Sequence, residues 1–89
     1  MTDIEKQIEN MGYKIRVSDM SNEYIIYENK KSDHEVILEW DYEDQYCMVH
    51  SQTISREKDW IGQTHQMPHA LTICELEIFT ARLKELRGI

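Results

Sequence analysis

The apolar positions near the C-terminus recur at steps of three and four residues, which is the spacing of one face of an α-helix. This stripe is formed by Ile73, Leu76, Phe79, Leu83 and Leu86. Thr72 and Glu75 form a capping box before it, because each side chain can accept a free N–H at the helix start. Gly88 is placed to end the helix. The pattern predicts a long C-terminal helix that packs on an apolar sheet face.

A shorter helical pattern occupies the N-terminus. Thr2 and Glu5 have capping-box spacing, and Gly12 is placed to stop the helix. One apolar face is formed by Ile4, Ile8 and Met11. A helix of about ten residues is marginal alone, so we expect it to dock beside the C-terminal helix or over the sheet edge.

Four segments between the helices have the alternation or the short apolar runs of β-strands. They cover residues 13–17, 24–27, 34–40 and 46–54. In the third, one predicted face holds Val36, Leu38 and Trp40. Short connections favour sequential antiparallel pairing. The sequence therefore predicts an α+β fold in which residues 1–89 form a single domain, an antiparallel four-stranded meander sheet packed by the long C-terminal helix and the short N-terminal one.

The negative charge is concentrated in the middle of the chain. Residues 33–59 hold eight acids and two bases, a net −6 out of the total −7. Such a surface repels nucleic acid and anionic membranes, and it attracts a basic protein surface. No signal-like apolar N-terminus is seen, and no apolar run approaches the roughly 18 residues that span a bilayer. We therefore expect a cytoplasmic protein that binds neither nucleic acid directly nor a membrane.

Carboxylates and aromatic side chains interleave at the predicted hairpin between the third and fourth strands. The residues are Glu39, Trp40, Asp41, Tyr42, Glu43, Asp44 and Tyr46. One interpretation is a solvated hairpin tip. The other is a binding surface, because Tyr and Trp are preferred interface anchors and the acids suit a basic partner. We take the second as the functional hypothesis.

Trp60 extends this hypothesis into the long connection of residues 55–69. Together with Ile61 it either plugs the end of the sheet or the groove beside the C-terminal helix, or forms an exposed anchor. The anchor would contact a partner or a second copy of the chain. Trp60 is therefore included among the predicted binding residues.

The histidines and cysteines offer weaker chemistry. His65 and His69 have the i, i+4 spacing of helical zinc ligands, but Pro68 prevents a regular helix across them. Cys47 and Cys74 are expected to be buried as small hydrophobic residues, although a thiol with a nearby histidine as base is an alternative. We predict no metal, no cofactor and no catalytic residue, hence a protein that is not an enzyme.

Several features together resemble small acidic proteins encoded by phages and prophages of Gram-positive bacteria. They are the short helix ending at Gly12 and Tyr13, the strand segment 22–27, and Met67 and Pro68 before the capped helix start at 71–76. The resemblance implies action by binding, and acidic proteins of this kind include inhibitors that occupy nucleic-acid sites on host defence nucleases or transcription enzymes.

The residues and the resemblance lead to one functional expectation. It is a small cytosolic protein-binding module, phage-derived, whose acidic aromatic hairpin engages a basic surface of a host protein as an inhibitor or modulator. The host protein would itself be of the nucleic-acid-binding class. The alternative is a homo-oligomeric structural or accessory protein, such as a homodimer, without catalytic activity.

Overall fold

The predicted fold is confirmed in the computed structural model, which describes residues 2–41, 43, 46–54, 58–63 and 66–88. The elements in chain order are α1 (Asp3–Asn10), β1 (Lys14–Asp19), β2 (Tyr24–Asn29), β3 (His34–Trp40), β4 (Cys47–Thr53) and α2 (Ile73–Arg87). The strands pair antiparallel in the order β1-β2-β3-β4. Among the helices that the structure describes, none has the length and apolar character needed to cross a membrane.

The predicted ends of α2 are present. The Thr72 hydroxyl accepts the Glu75 N–H at 3.1 Å, and the Glu75 carboxylate accepts the Thr72 N–H at 3.0 Å. Gly88 follows the last turn with φ of 75°, a left-handed conformation that glycine adopts without steric cost. Local sequence therefore sets both limits of this helix.

α1 docks beside α2. The Thr2 hydroxyl accepts the Glu5 N–H at 3.2 Å, while the Glu5 carboxylate lies 3.0 Å from Arg82 Nη2 on α2. The Thr2 hydroxyl also donates to Glu85 at 3.2 Å. The start of α1 is thus tied to Arg82 and Glu85 on α2, and Ile8 is turned into the core.

The hydrophobic core lies between the helices and one face of the sheet. Its buried residues are Ile8, Tyr13, Ile25, Tyr27, Val36, Leu38, Trp40, Phe79 and Leu83. The alternation predicted for β3 is confirmed, since Val36, Leu38 and Trp40 all lie on this inner face. Burying these side chains contributes the main favourable term for folding.

The buried stripe of α2 differs from the predicted one. Phe79 and Leu83 are buried as expected, but Ile73 is 77% exposed and Leu76 is half-exposed. The physical reason is a polar contact, because Glu75 takes the inward position and accepts a hydrogen bond from the buried Tyr13 hydroxyl. Positions four residues apart share a helix face, so Glu75 and Phe79 turn inward together.

The two described helices pack on one face of the sheet, and the second face carries more polar residues. Glu35 is buried there, and its carboxylate accepts hydrogen bonds from Arg16 and, at 2.6 Å, from Gln52. This pairing offsets the cost of burying a charge.

The outer edge of β4 is covered by the chain that returns to α2. The Thr53 N–H donates to the Met67 carbonyl at 2.8 Å, and the His69 N–H donates to Ser51 at 3.0 Å. A bridge between Gln52 and Pro68 continues this pairing. Residues 67–69 of the long connection therefore form a short strand-like stretch.

Candidate binding cleft

A cleft of about 250 Å³ opens where β2 begins and β3 ends. It is lined by Asn22, Glu23, Tyr24, Glu39, Trp40, Asp41 and Tyr46. The antiparallel register places Tyr24 directly opposite Glu39, which brings the two strand ends together. Three acidic residues and two tyrosines therefore share one concavity, and no lysine or arginine is among its lining residues that the structure describes.

The turn before β2 fixes one wall of the cleft. Asp19 accepts the Asn22 N–H at 3.0 Å, the Asn22 side-chain amide at 2.8 Å and the Ser21 hydroxyl at 2.8 Å. These hydrogen bonds lower the pKa of Asp19. Glu23 has φ of 61°, and its carbonyl accepts the Trp40 N–H at 3.0 Å. Glu23 is consequently held against the end of β3.

The β3–β4 hairpin fixes the opposite wall. The Asp41 N–H donates to the Tyr46 carbonyl at 2.9 Å, which closes the base of the hairpin. The Asp41 carboxylate accepts the Glu43 N–H at 2.8 Å, as in the Asx turns that aspartate favours. Tyr46 is exposed at the mouth of the cleft.

Glu39 projects from the outer face of the sheet with its side chain half-exposed. Its carboxylate lies 3.5 Å from His50 Nε2 on β4, a contact that is an ion pair when the imidazole is protonated. Glu39 thus lies between His50 on β4 and the cleft, which it helps to line.

Trp40 is not an exposed anchor, which corrects the sequence prediction. Its side chain is only 3% exposed and belongs to the core. The alternation of β3 explains this, because Trp40 points to the same side as Val36 and Leu38. It forms part of the inner lining of the cleft, where direct contact with a partner is confined to a small area.

Trp60 is 94% exposed, so it does not plug the sheet end or the helix groove. A turn around Asp59 presents it, in which the Asp59 carboxylate accepts the N–H groups of Ile61 at 3.0 Å and Gln63 at 2.9 Å. Trp60 and the exposed Ile61 lie outside the residues that line the cleft. This predicted binding residue is therefore not part of the cleft.

The remaining hairpin predictions have mixed outcomes. Glu43 is exposed, and its backbone N–H donates to the Asp41 carboxylate in the turn described above. Tyr42 and Asp44 lie outside the described residues. Four predicted residues, Glu39, Trp40, Asp41 and Tyr46, are brought together in the cleft.

Asn22, Glu23 and Tyr24 complete the cleft and were missed by sequence reasoning. A meander places the start of the second strand beside the end of the third, so the predicted topology already implied this proximity. The sequence pattern did not specify the register, in which Tyr24 pairs with Glu39. With that register, the three residues would have been predicted as part of the site.

A second polar cluster is buried in the core. The Tyr13 hydroxyl donates its hydrogen to the Glu75 carboxylate, so it accepts its second hydrogen bond, at 2.6 Å, from His34 Nε2. The His69 ring stacks on His34 with centroids 4.0 Å apart and an angle of 13°. Tyr13 is 1% exposed, so a substrate cannot reach this hydroxyl. The cluster joins the residue before β1, the start of β3, α2 and the chain before α2.

The environment shifts the pKa values of the cluster in directions that favour its hydrogen bonds. Burial, followed by the hydrogen bond to Glu75, raises the pKa of Tyr13 far above its usual range. Burial and the neighbouring His69 lower the pKa of His34, so its neutral form is favoured. Burial alone would raise the pKa of Glu75, but hydrogen bonds from Tyr13 and Thr72 lower it on balance. The cluster therefore contains a neutral imidazole beside an ionised carboxylate at neutral pH.

The residues considered for metal or thiol chemistry are dispersed. His69 stacks on His34, His65 is not among the described residues, and those that are described contain no group of three or more His, Cys, Asp or Glu side chains able to hold a metal. Cys47 and Cys74 are exposed, not buried as predicted. Cys47 begins β4 at the end of the sheet, and Cys74 follows the exposed Ile73 in the first turn of α2.

No protein-family model, curated protein or solved structure matches this chain. The chemistry of the cleft therefore has to be inferred from the side chains that line it.

Proposed function

We propose that this protein is a protein-binding module whose cleft accepts a basic side chain from a partner. The observation that carries the proposal is the convergence of Glu23, Glu39 and Asp41 with two tyrosines in a cleft of about 250 Å³. Like charges brought together are unfavourable, and an incoming cation relieves that repulsion. Binding of a cation is thus favoured by the negative charge of these three residues.

Arginine fits this arrangement better than lysine. Its planar guanidinium presents five donors that match carboxylates pairwise, and it stacks on aromatic faces. Tyr24 and Tyr46 supply such faces beside the acids. Tyr46 is exposed at the mouth, where a tyrosine can act as an interface anchor with a small entropic cost.

The charge of the surrounding segment supports the same partner class. The cleft contains part of the stretch 33–59, which carries eight acids against two bases. Such a field raises the association rate of a basic partner and weakens as salt is added. The proposed partner is a basic host protein, including one that binds nucleic acid, and the proposed setting is the cytosol of a phage host, in accordance with the resemblance.

The proposal is tested by selecting peptides from a random display library on the immobilised full chain and measuring their affinity by calorimetry. We expect the selected peptides to be enriched in arginine. We expect Glu23→Gln/Glu39→Gln/Asp41→Asn to lose at least tenfold in affinity, because the carboxylates that attract the cation are removed. The asparagine retains an acceptor for the Glu43 N–H.

A matched control removes three acids that lie on the helices, in Asp3→Asn/Glu9→Gln/Glu77→Gln. This variant loses the same formal charge but leaves the cleft intact, so we expect an affinity close to that of the original chain. Selected peptides without basic residues, or equal losses in the two variants, would refute the cleft as the binding site. Equal losses would indicate a response to net charge alone.

A further inference from the structure

The two edges of the sheet are treated differently. The outer edge of β4 is paired with the chain around Met67 and His69, whereas β1 at the other edge pairs, within the described residues, with β2 alone. The outward N–H and C=O groups of an edge strand can pair with another strand. β1 is consequently the edge of this sheet to which a further strand can be added.

A β-bulge gives β1 an unusual symmetry. The register shifts between Ile15, which is opposite Tyr27, and Val17, which is opposite Ile26. Tyr27 is on the core side of the sheet and Ile26 is on the outer side. The bulge therefore reverses which positions of β1, odd or even, face the core.

The order of outward and inward side chains along β1 is therefore the same from either end of the strand. Lys14, Val17 and Asp19 point to the outer face, as does Arg16, which reaches Glu35 there. The two positions on the core side are Ile15 and Ser18. A regular six-residue strand would have its first and last side chains on opposite faces. The bulge puts them on the same face.

This symmetry is what an antiparallel pair of identical strands requires. A two-fold axis between Arg16 and Val17 places Lys14 of one copy opposite Asp19 of the other, on the same face, twice per dimer. It also places Ile15 opposite Ser18. Opposite charges that face each other across strands stabilise the pair. The charge pattern of β1 is thus complementary to itself in the register that its faces allow.

An apolar groove lies beside this edge. It has a volume of about 260 Å³, and Ile8, Tyr13, Ile15 and Tyr27 form its apolar lining, with Glu5, Glu9 and Lys14 at its border. Continuing the same register by one residue brings Met20 of a second copy opposite Tyr13. Met20 is 50% exposed, and methionine adapts well to irregular apolar gaps.

We propose that two copies of this chain associate through β1, in antiparallel register about an axis between Arg16 and Val17, with Met20 of each copy seated in the groove of the other. Such a C2 contact is isologous, so every favourable contact occurs twice. This surface and the acidic cleft share no lining residue, although the Asp19 turn adjoins both, so either proposal can fail without the other.

The first test is sedimentation equilibrium of the full chain up to about 100 μM, a range that detects weak to moderate dimers. We expect a dimer, and we expect Lys14→Glu to raise its Kd at least about tenfold, because two attractive pairs become repulsive. Adding Asp19→Asn to Lys14→Glu should restore part of the affinity, since the repulsion is removed. Asparagine keeps an acceptor for the turn that Asp19 organises.

Met20→Glu provides a second test, because it places a charge in the apolar groove. We expect it to prevent dimerisation, while Met67→Glu, at another exposed methionine, should not. A monomer throughout the concentration range would overturn the proposal, and would assign Lys14 and the bulge to protection of the edge. A dimer that is insensitive to both Lys14→Glu and Met20→Glu would also overturn it.

Cross-linking tests the register directly. With Cys47→Ser and Cys74→Ser as background, Ile15→Cys/Ser18→Cys should form a covalent dimer on oxidation, because opposite positions have Cβ atoms about 5 Å apart. The two cysteines of one strand are about 10 Å apart and cannot pair with each other. Each single cysteine variant is the control. Efficient dimers from Ile15→Cys alone would indicate a different register and refute the one proposed.

Discussion

Replacing Tyr13 with phenylalanine should destabilise the protein more than its single lost oxygen suggests. The hydroxyl donates to the Glu75 carboxylate and accepts from His34 Nε2 at 2.6 Å. Phenylalanine keeps the edge-on ring contact with Phe79, whose centroid is 4.9 Å away. The variant therefore removes the two hydrogen bonds and leaves the aromatic packing in place.

The expected magnitude follows from what the lost oxygen leaves behind. A hydrogen bond to a charged group contributes about 1.5–3 kcal/mol, and one between neutral groups about 0.5–1.5 kcal/mol. Glu75 is only partly buried and regains some water, which reduces the first value. We expect a loss of about 2–3 kcal/mol in the free energy of unfolding, or roughly 10–20 °C in Tm for a domain of this size.

Urea denaturation followed by the fluorescence of the buried Trp40 measures this loss. Trp60→Phe in the common background removes the exposed indole and leaves one reporter. Tyr27→Phe is the matched control, because its hydroxyl accepts one hydrogen bond, at 3.2 Å, from Arg82 Nε. We expect Tyr27→Phe to lose about 1.5 kcal/mol, the low end of the range for a hydrogen bond to a charged group, because Arg82 keeps its ion pairs with Glu5 and Glu85.

The pH dependence of the Tyr13→Phe loss tests its cause. The lowered pKa of Glu75 means that its interactions stabilise the fold above the ordinary value of 4.5, and that this stability is lost as pH falls through the folded-state pKa. The difference between Tyr13→Phe and the original chain should therefore be smaller at about pH 3 than at pH 7. Equal losses for Tyr13→Phe and Tyr27→Phe, or a difference independent of pH, would refute the reasoning.

Two further predictions concern the same core. The lowered pKa of His34 implies that the unfolded chain takes up a proton first as pH falls below 6.5, so stability should decline there by at most about 1.4 kcal/mol per pH unit. His34→Gln should flatten this part of the curve measured by urea denaturation, whereas His50→Gln, at a partly exposed site on the other face of the sheet, should change it less; equal effects would contradict the assignment. Leu83→Ala should lower the free energy of unfolding by about 2–5 kcal/mol in the same assay, because Leu83 is buried. Leu76→Ala, at a half-exposed position, should lower it by less than about 1 kcal/mol. Comparable losses would show that Leu76 is buried as the sequence pattern predicts.

Short-range chemistry determined much of the fold from the sequence. The Thr72 cap, the left-handed Gly88 and the alternation of β3 depend on residues a few positions apart, so their patterns are readable along the chain. The meander followed from short connections, which leave few other pairings. These local rules agree with one another, and together they specified the α+β fold.

Long-range contacts decided which side chains are exposed. α2 presents Glu75 and not Leu76 to the sheet because Tyr13, 62 residues away, offers a buried hydroxyl to a carboxylate. The hydrophobic pattern of the helix contains no information about that partner. Trp60 was likewise free to be buried or exposed until the turn around Asp59 placed it in solvent.

The sequence by itself determined where the negative charge lies and which hairpin carries it. Only the tertiary structure showed that Glu39 and Asp41 meet Glu23 in one cleft, that Trp40 belongs to the core, and that a bulge makes the faces of β1 symmetric. The physical reason is that strand register depends on hydrogen bonds between distant segments, and a shift of one residue moves every side chain to the other face.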